Sequence, residues 1–216
     1  VVTLDLDTAH SKLVLSADRR RVRWHHTWQS LPENPKRFTY WCCVLGWEGF
    51  REGRHCWEVE VQGEVGGDSW WAIGVARDSV ERDHTTKFSP EGGIWAVTHC
   101  RGQFEALTNP CTPLSQSPLP RKIWVCLDCA RGLVAFINAD NGAGIFTFPP
   151  ASFSGEVIRP WFRLVTEKTQ LILTGSTPQT LGTPSPSSVP LAGPCPPPLS
   201  PAGADIHLRP APASDG

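Results

Sequence analysis

The chain has 216 residues and a formal net charge of −1, with 19% charged and 40% hydrophobic residues. It is long enough to bury an ordinary core, and so nearly neutral a chain offers no field to draw in nucleic acid or an anionic lipid surface. Ten Trp and nine Phe against one Tyr and no Met predict a core of large, rigid side chains rather than flexible fillers.

In chain order, His25-His26 lies between Trp24 and Trp28 and reads as a turn with aromatic cover. The first strong strand signal is His55-Cys56-Trp57-Glu58-Val59-Glu60-Val61. Its odd positions put His, Trp, Val and Val on one face and leave Glu58 and Glu60 on the other, the pattern of a half-buried strand. Runs 70–76, 93–99, 122–127, 133–137, 145–148 and 170–174 are similarly rich in aromatic and β-branched residues. Residues 128–132 read as a hairpin turn in which Gly132 takes positive φ. No window sustains a 3.6-residue period, and turn residues recur about every ten positions. This predicts an all-β, antiparallel sandwich.

After Gly175 the composition changes. Residues 176–216 hold eleven of the twenty-one prolines and almost no apolar period, which predicts an extended, disordered tail. PxxP spacing in 194–201 is compatible with an SH3 or WW contact, a plain spacer being the simpler reading. No run approaches the roughly 18 apolar residues of a membrane-spanning helix and no signal peptide is recognisable, so no membrane insertion of this region is expected. The chain opens on Val1 without Met, as a piece of a longer or processed protein would.

Eight cysteines, at positions 42, 43, 56, 100, 111, 126, 129 and 195, sit largely in apolar runs. They are read as reduced packing residues in a cytoplasmic setting. Cys126 and Cys129 have CxxC spacing, but no second pair follows, so neither a metal nor a cofactor is expected. Glu58 and Glu60 share one strand face about 7 Å apart by strand rise. Paired carboxylates raise a remote glycan-binding or glycoside-hydrolysing alternative, against a solvated sheet face. No nucleophile or phosphate-binding loop suggests an enzyme.

Leu4-Asp5-Leu6-Asp7-Thr8-Ala9-His10, then Leu13-Val14-Leu15-Ser16 and Arg20-Arg21-Val22-Arg23, resembles a PRY segment. Gly53-Arg54-His55, Trp57 to Val61, Ile73-Gly74-Val75-Ala76, Gly93-Ile94-Trp95, Leu127-Asp128 and Phe153-Ser154-Gly155 continue in order as an SPRY domain. The resemblance implies one bent antiparallel sandwich, with residues 1–50 as PRY and 51–175 as SPRY. It also implies a protein- or peptide-binding module without catalysis of its own. Such a module serves as the recognition domain of a tripartite-motif (TRIM) ubiquitin ligase with roles in innate immunity, whose ligase chemistry sits in a separate RING domain. The alternative is the cytosolic ligand-sensing domain of a butyrophilin-like membrane protein. Trp57, Val59, Gly53, Gly74 and Asp128 would be scaffold.

Carried over by position, the resemblance places the candidate ligand pocket near Ala72, Thr98, Cys100, Thr166 and Lys168, with Arg101 and Arg163 nearby. The antibody-binding member has tryptophans where this chain has Thr98 and Cys100. The phosphoantigen-binding butyrophilins have a basic cluster where this chain has Ala72, Glu105 and Thr112. Neither ligand is therefore expected. Cys56, and Cys129-Ala130, also replace aromatic or acidic residues usual in the family.

Overall fold

Trp57, Val59 and Val61 are at most 3% exposed, so the odd face of the 55–61 run is the core face. In the computed structural model, residues 1–174 are described. The proline-rich segment, its PxxP spacing and Cys195 lie outside the described residues. The strands in chain order are β1 (Leu13–Leu15), β2 (Arg21–Trp24), β3 (Cys43–Leu45), β4 (Arg54–Gly63), β5 (Trp71–Arg77), β6 (Ile94–Cys100) and β7 (Gln103–Ala106). They continue with β8 (Thr112–Pro113), β9 (Lys122–Asp128), β10 (Leu133–Asn138), β11 (Gly144–Thr147), β12 (Ile158–Leu164) and β13 (Thr169–Thr174). A 3₁₀ turn, Pro90–Gly92, precedes β6. No helix among the described residues is long and apolar enough to cross a membrane.

All pairings are antiparallel, in a seven-stranded sheet ordered β1-β2-β13-β4-β9-β10-β11 and a six-stranded sheet ordered β3-β12-β5-β6-β7-β8. The main core lies between the sheets, where Trp57 and Val59 meet Ile73, Val75, Phe136 and Phe162. A second core covers part of the outer face of the six-stranded sheet, formed by Phe38, Leu45, Ala76, Val80 and Trp161. That is why β5 is buried at almost every position and shows no polar alternation.

The expected turn at 128–132 closes a hairpin with Asp128 opposite Leu133. Gly132 has φ +65°, and a Cβ there would stand 1.7 Å from the Ala151 carbonyl oxygen, so only glycine fits. Asp128 accepts the Arg131 N–H at 3.0 Å and pairs with Arg54 at 3.0 Å. Gly74 lets β5 and β6 approach, since a Cβ would lie 2.0 Å from the Trp95 carbonyl oxygen.

The 1–50 segment is woven through both sheets, with β1 and β2 at the edge of one and β3 at the edge of the other. Arg159 on β12 fastens it. This guanidinium donates to Asp5 at 2.8 Å and Asp78 at 3.0 Å, and its Nε donates to the Gly46 carbonyl at 2.8 Å. The last bond fills a gap in the ladder: Pro160 accepts from the Gly46 N–H at 2.8 Å but has no N–H to return.

Glu58 corrects the expectation of a solvated carboxylate face. It is 8% exposed and accepts from the indole Nε1 of Trp124 at 3.1 Å and from the hydroxyl of Thr174. Strand alternation puts Glu58 on the outer face but does not reveal Trp124, which lies opposite it on β9 and covers it.

Candidate functional site

The register of the six-stranded sheet draws one transverse row. Cys43 on β3 lies opposite Arg163 on β12, Arg163 opposite Ala72 on β5, Ala72 opposite Thr98 on β6, and Thr98 opposite Glu105 on β7. Their neighbours along each strand, Val44, Phe162, Ile73, Val97 and Phe104, enter the core between the sheets. The row therefore belongs to the outer face.

Arg163 is the chemically distinctive member. Its Cζ lies 4.5 Å from the ring centre of Trp70, 4.6 Å from Phe88 and 5.0 Å from Trp41, a cage of cation–π contacts. The rings brace one another: Trp41 meets Phe88 edge-on at 5.2 Å, and Phe88 lies 6.0 Å from Trp161. Arg163 Nε is sealed from solvent with no hydrogen-bond partner. No carboxylate among the described residues forms an ion pair with this guanidinium. Burial pulls its pKa below the ordinary value, the thiols of Cys43, Cys42 and Cys100 acting weakly the other way. Rings satisfy the faces of a guanidinium, but its N–H edge calls for an acceptor.

The expected pocket residues divide. Ala72 is 0% exposed and Thr98 is buried, its hydroxyl donating to the Trp71 carbonyl at 2.9 Å. They form the floor beside Arg163, and Ala72 has no surface for a ligand to touch. Cys100 follows on the same face, half-buried, its thiol pKa raised by desolvation. Arg101 is exposed in the two-residue turn from β6 to β7, with φ +52°. Thr166 lies outside the row but supports the cage, its hydroxyl accepting the Trp70 N–H at 3.2 Å. Lys168 is exposed in the β12–β13 connection, where its carbonyl accepts the Glu64 N–H at 3.0 Å. The structure does not bring it to the row.

The sequence reading missed Trp41, Trp70 and Phe88. Trp70 carried a usable signal: in the Trp70-Trp71 doublet Trp71 is fully buried, so strand alternation sends its neighbour outward. Trp41 and Phe88 arrive from separate loops and carried none. The exposed ring of Tyr40 packs edge-on against Trp41 at 4.7 Å and extends the aromatic rim. A separate open depression of about 420 Å³ borders Pro35 and Arg82. Arg82 there donates to the Lys36 and Asp78 carbonyls, each at 2.6 Å, so this seam is already knitted by the chain itself.

Residues 2–50 match the SPRY-associated domain, PRY, and residues 54–176 match the SPRY domain. The chain is 45% identical over 173 residues to the E3 ubiquitin-protein ligase TRIM58 of Mus musculus, covering 80% of this chain and 34% of that protein. It is 46% identical over 163 residues to butyrophilin subfamily 1 member A1 of Bos taurus, covering 76% of this chain and 30% of the other. The chain thus spans about a third of the length of these curated relatives. Among solved structures, the TRIM65 PSpry domain superposes with a TM-score of 0.68 at 23% identity, covering 81% of this chain and 90% of that one. At that identity the likeness speaks to the fold.

Proposed function

The chain belongs to the PRY-SPRY family, a protein-interaction module, and from that premise we propose that the outer face of its six-stranded sheet is the partner-binding surface. The observation that supports this reading is the Arg163 cage, a half-buried cation with aromatic walls and no acidic partner among the described residues. Thr98, Cys100 and Glu105 continue the surface, and Arg101 rims it. Around a floor kept low by Ala72 and Thr98, the aromatic rim has the composition of an interface centre. The partner is a protein or peptide that presents a carboxylate to Arg163, because a carboxylate is the natural counter-ion for a guanidinium that has no acidic partner among the described residues.

In the wider protein this module is the substrate-recognition part of a cytoplasmic TRIM-type ubiquitin ligase with a role in innate immunity, ligation being performed by another domain. A butyrophilin-like membrane protein that senses ligands with the same face is the second reading, favoured by equally high identity to that branch. The sequence upstream of Val1 separates the two: a RING and coiled coil, or a membrane span.

The test is pull-down with the 216-residue chain from cell lysate, comparing the wild type with Arg163→Gln, Thr98→Trp and Lys168→Glu. Specific partners are expected to be lost with the first two variants and kept with the third. Partners that survive both Arg163→Gln and Thr98→Trp, in variants that melt as the wild type does, place the binding surface elsewhere.

A further inference from the structure

Two cysteines face each other on the outer side of the seven-stranded sheet, where Cys56 on β4 lies opposite Cys126 on β9. The hydrogen bonds of this ladder define the kind of pair. Val61 N–H donates to the Arg121 carbonyl at 2.7 Å, and Cys129 N–H donates to the Gly53 carbonyl at 3.0 Å. Hydrogen-bonded pairs therefore fall at the odd positions of β4, and Cys56 with Cys126 is a non-hydrogen-bonded pair. Cα atoms in such a pair stand about 4.5 Å apart with their side chains at closest approach. That separation lies at the short end of the roughly 4.4–6.8 Å that disulfides span.

The surroundings suit reaction. Both thiols are half-buried rather than sealed, and the residue opposite Cys126 on its other side is the small Ala135 of β10. A hydrogen bond from Cys126 lowers the pKa of Cys56, burial opposes it, and the charge of Arg54 assists. Cys126 is correspondingly pushed up, first by that same bond and then by burial. Arg54, two residues before Cys56 on the same face of β4, sets a cation beside that sulfur and favours its thiolate, so Cys56 is the nucleophile and Cys126 the thiol that follows.

We propose that Cys56 and Cys126 form a redox-modifiable pair that closes a reversible cross-strand disulfide between β4 and β9 on exposure to a peroxide. The Cys56 thiolate attacks one oxygen of hydrogen peroxide. The S–O bond forms as the O–O bond breaks, and the departing hydroxide takes up a proton to become water, leaving a sulfenic acid on Cys56. The Cys126 sulfur then attacks the Cys56 sulfur: the S–S bond forms, the S–O bond breaks, and the hydroxyl leaves as water with the Cys126 proton. Two thiols are oxidised and one peroxide is reduced to two waters. A small dithiol reductant reverses the link by thiol–disulfide exchange. The link lies on the seven-stranded sheet, across the main core from the Arg163 row, and so does not depend on the proposed binding surface.

The experiment treats the purified 216-residue chain with hydrogen peroxide, blocks remaining thiols with iodoacetamide, and maps peptides by mass spectrometry without reduction. The expected product is a peptide linking Cys56 to Cys126, lighter by two hydrogen atoms than its separate halves, and abolished by dithiothreitol. Alkylation of both residues after peroxide, or linkage of Cys56 to Cys129 or Cys195 instead, overturns the proposal. In Cys126→Ser the Cys56 sulfenic acid should persist and be trapped by dimedone. A folded variant that gives no adduct also counts against it, and mapping of the wild type decides the matter should that variant not fold.

Discussion

His10 is 1% exposed and its Nδ1 accepts the Lys12 N–H at 3.0 Å. Burial chiefly, then the charges of Lys12 and Arg37, lower its pKa from 6.5 to about 4, against a backbone hydrogen bond with Thr39. The unfolded chain therefore binds a proton at this site before the folded one does. Stability is expected to be level above pH 6.5 and to decline as pH falls from there toward 4. Urea unfolding across that range measures the slope. His10→Asn, whose side-chain oxygen can take over the Lys12 N–H, should flatten it, whereas an unchanged slope would assign the decline to other groups. Position in sequence marked His10 only as part of a motif. Its burial comes from chain brought in from elsewhere, including Trp28, whose ring centre lies 4.9 Å away.

The β6–β7 turn forces an unsuitable residue into a demanding conformation. Arg101 and Gly102 have φ +52° and +75° between the paired Cys100 and Gln103, a two-residue turn that favours Asn-Gly. Arg101→Asn is expected to stabilise the fold by about 1 kcal/mol, because Asn tolerates the left-handed region better than Arg. Urea denaturation checks this, and an unchanged midpoint would mean that contacts of the Arg101 side chain offset the backbone cost. Elements differ similarly in how openly the sequence announces them. β4 and the hairpin at Gly132 are local, and alternation with one turn residue reveals them. β12 is harder to read, because it is buried on both faces, holds Pro160 at a ladder position and carries arginines whose partners are remote. The same holds for the site. Arg163 was nominated by position, yet its cage depends on Trp41, Trp70 and Phe88, which only the folded chain brings together.

At the scale of the whole sandwich, the first fifty residues are structural members rather than an appendage. Removing them strips β1 and β2 from β13 and β3 from β12, exposing strand edges on both sheets. It also takes Leu13, Val22 and Val44 from the main core, Phe38, Cys43 and Leu45 from the outer one, and Asp5 from the buried Arg159. An ion pair broken on one side leaves a buried charge uncompensated, at about 3–5 kcal/mol. Several large apolar side chains lost from a core add about 2–5 kcal/mol each. Together these exceed the ~5–15 kcal/mol that ordinarily separates a folded domain from its unfolded chain. A fragment of residues 51–174 is therefore expected to lack a cooperative melting transition and to bind a hydrophobic dye. The fragment 1–174 should melt sharply and bind none. A shorter fragment that melted cooperatively near the temperature of the longer one would show that the SPRY segment folds without the strands at its edges.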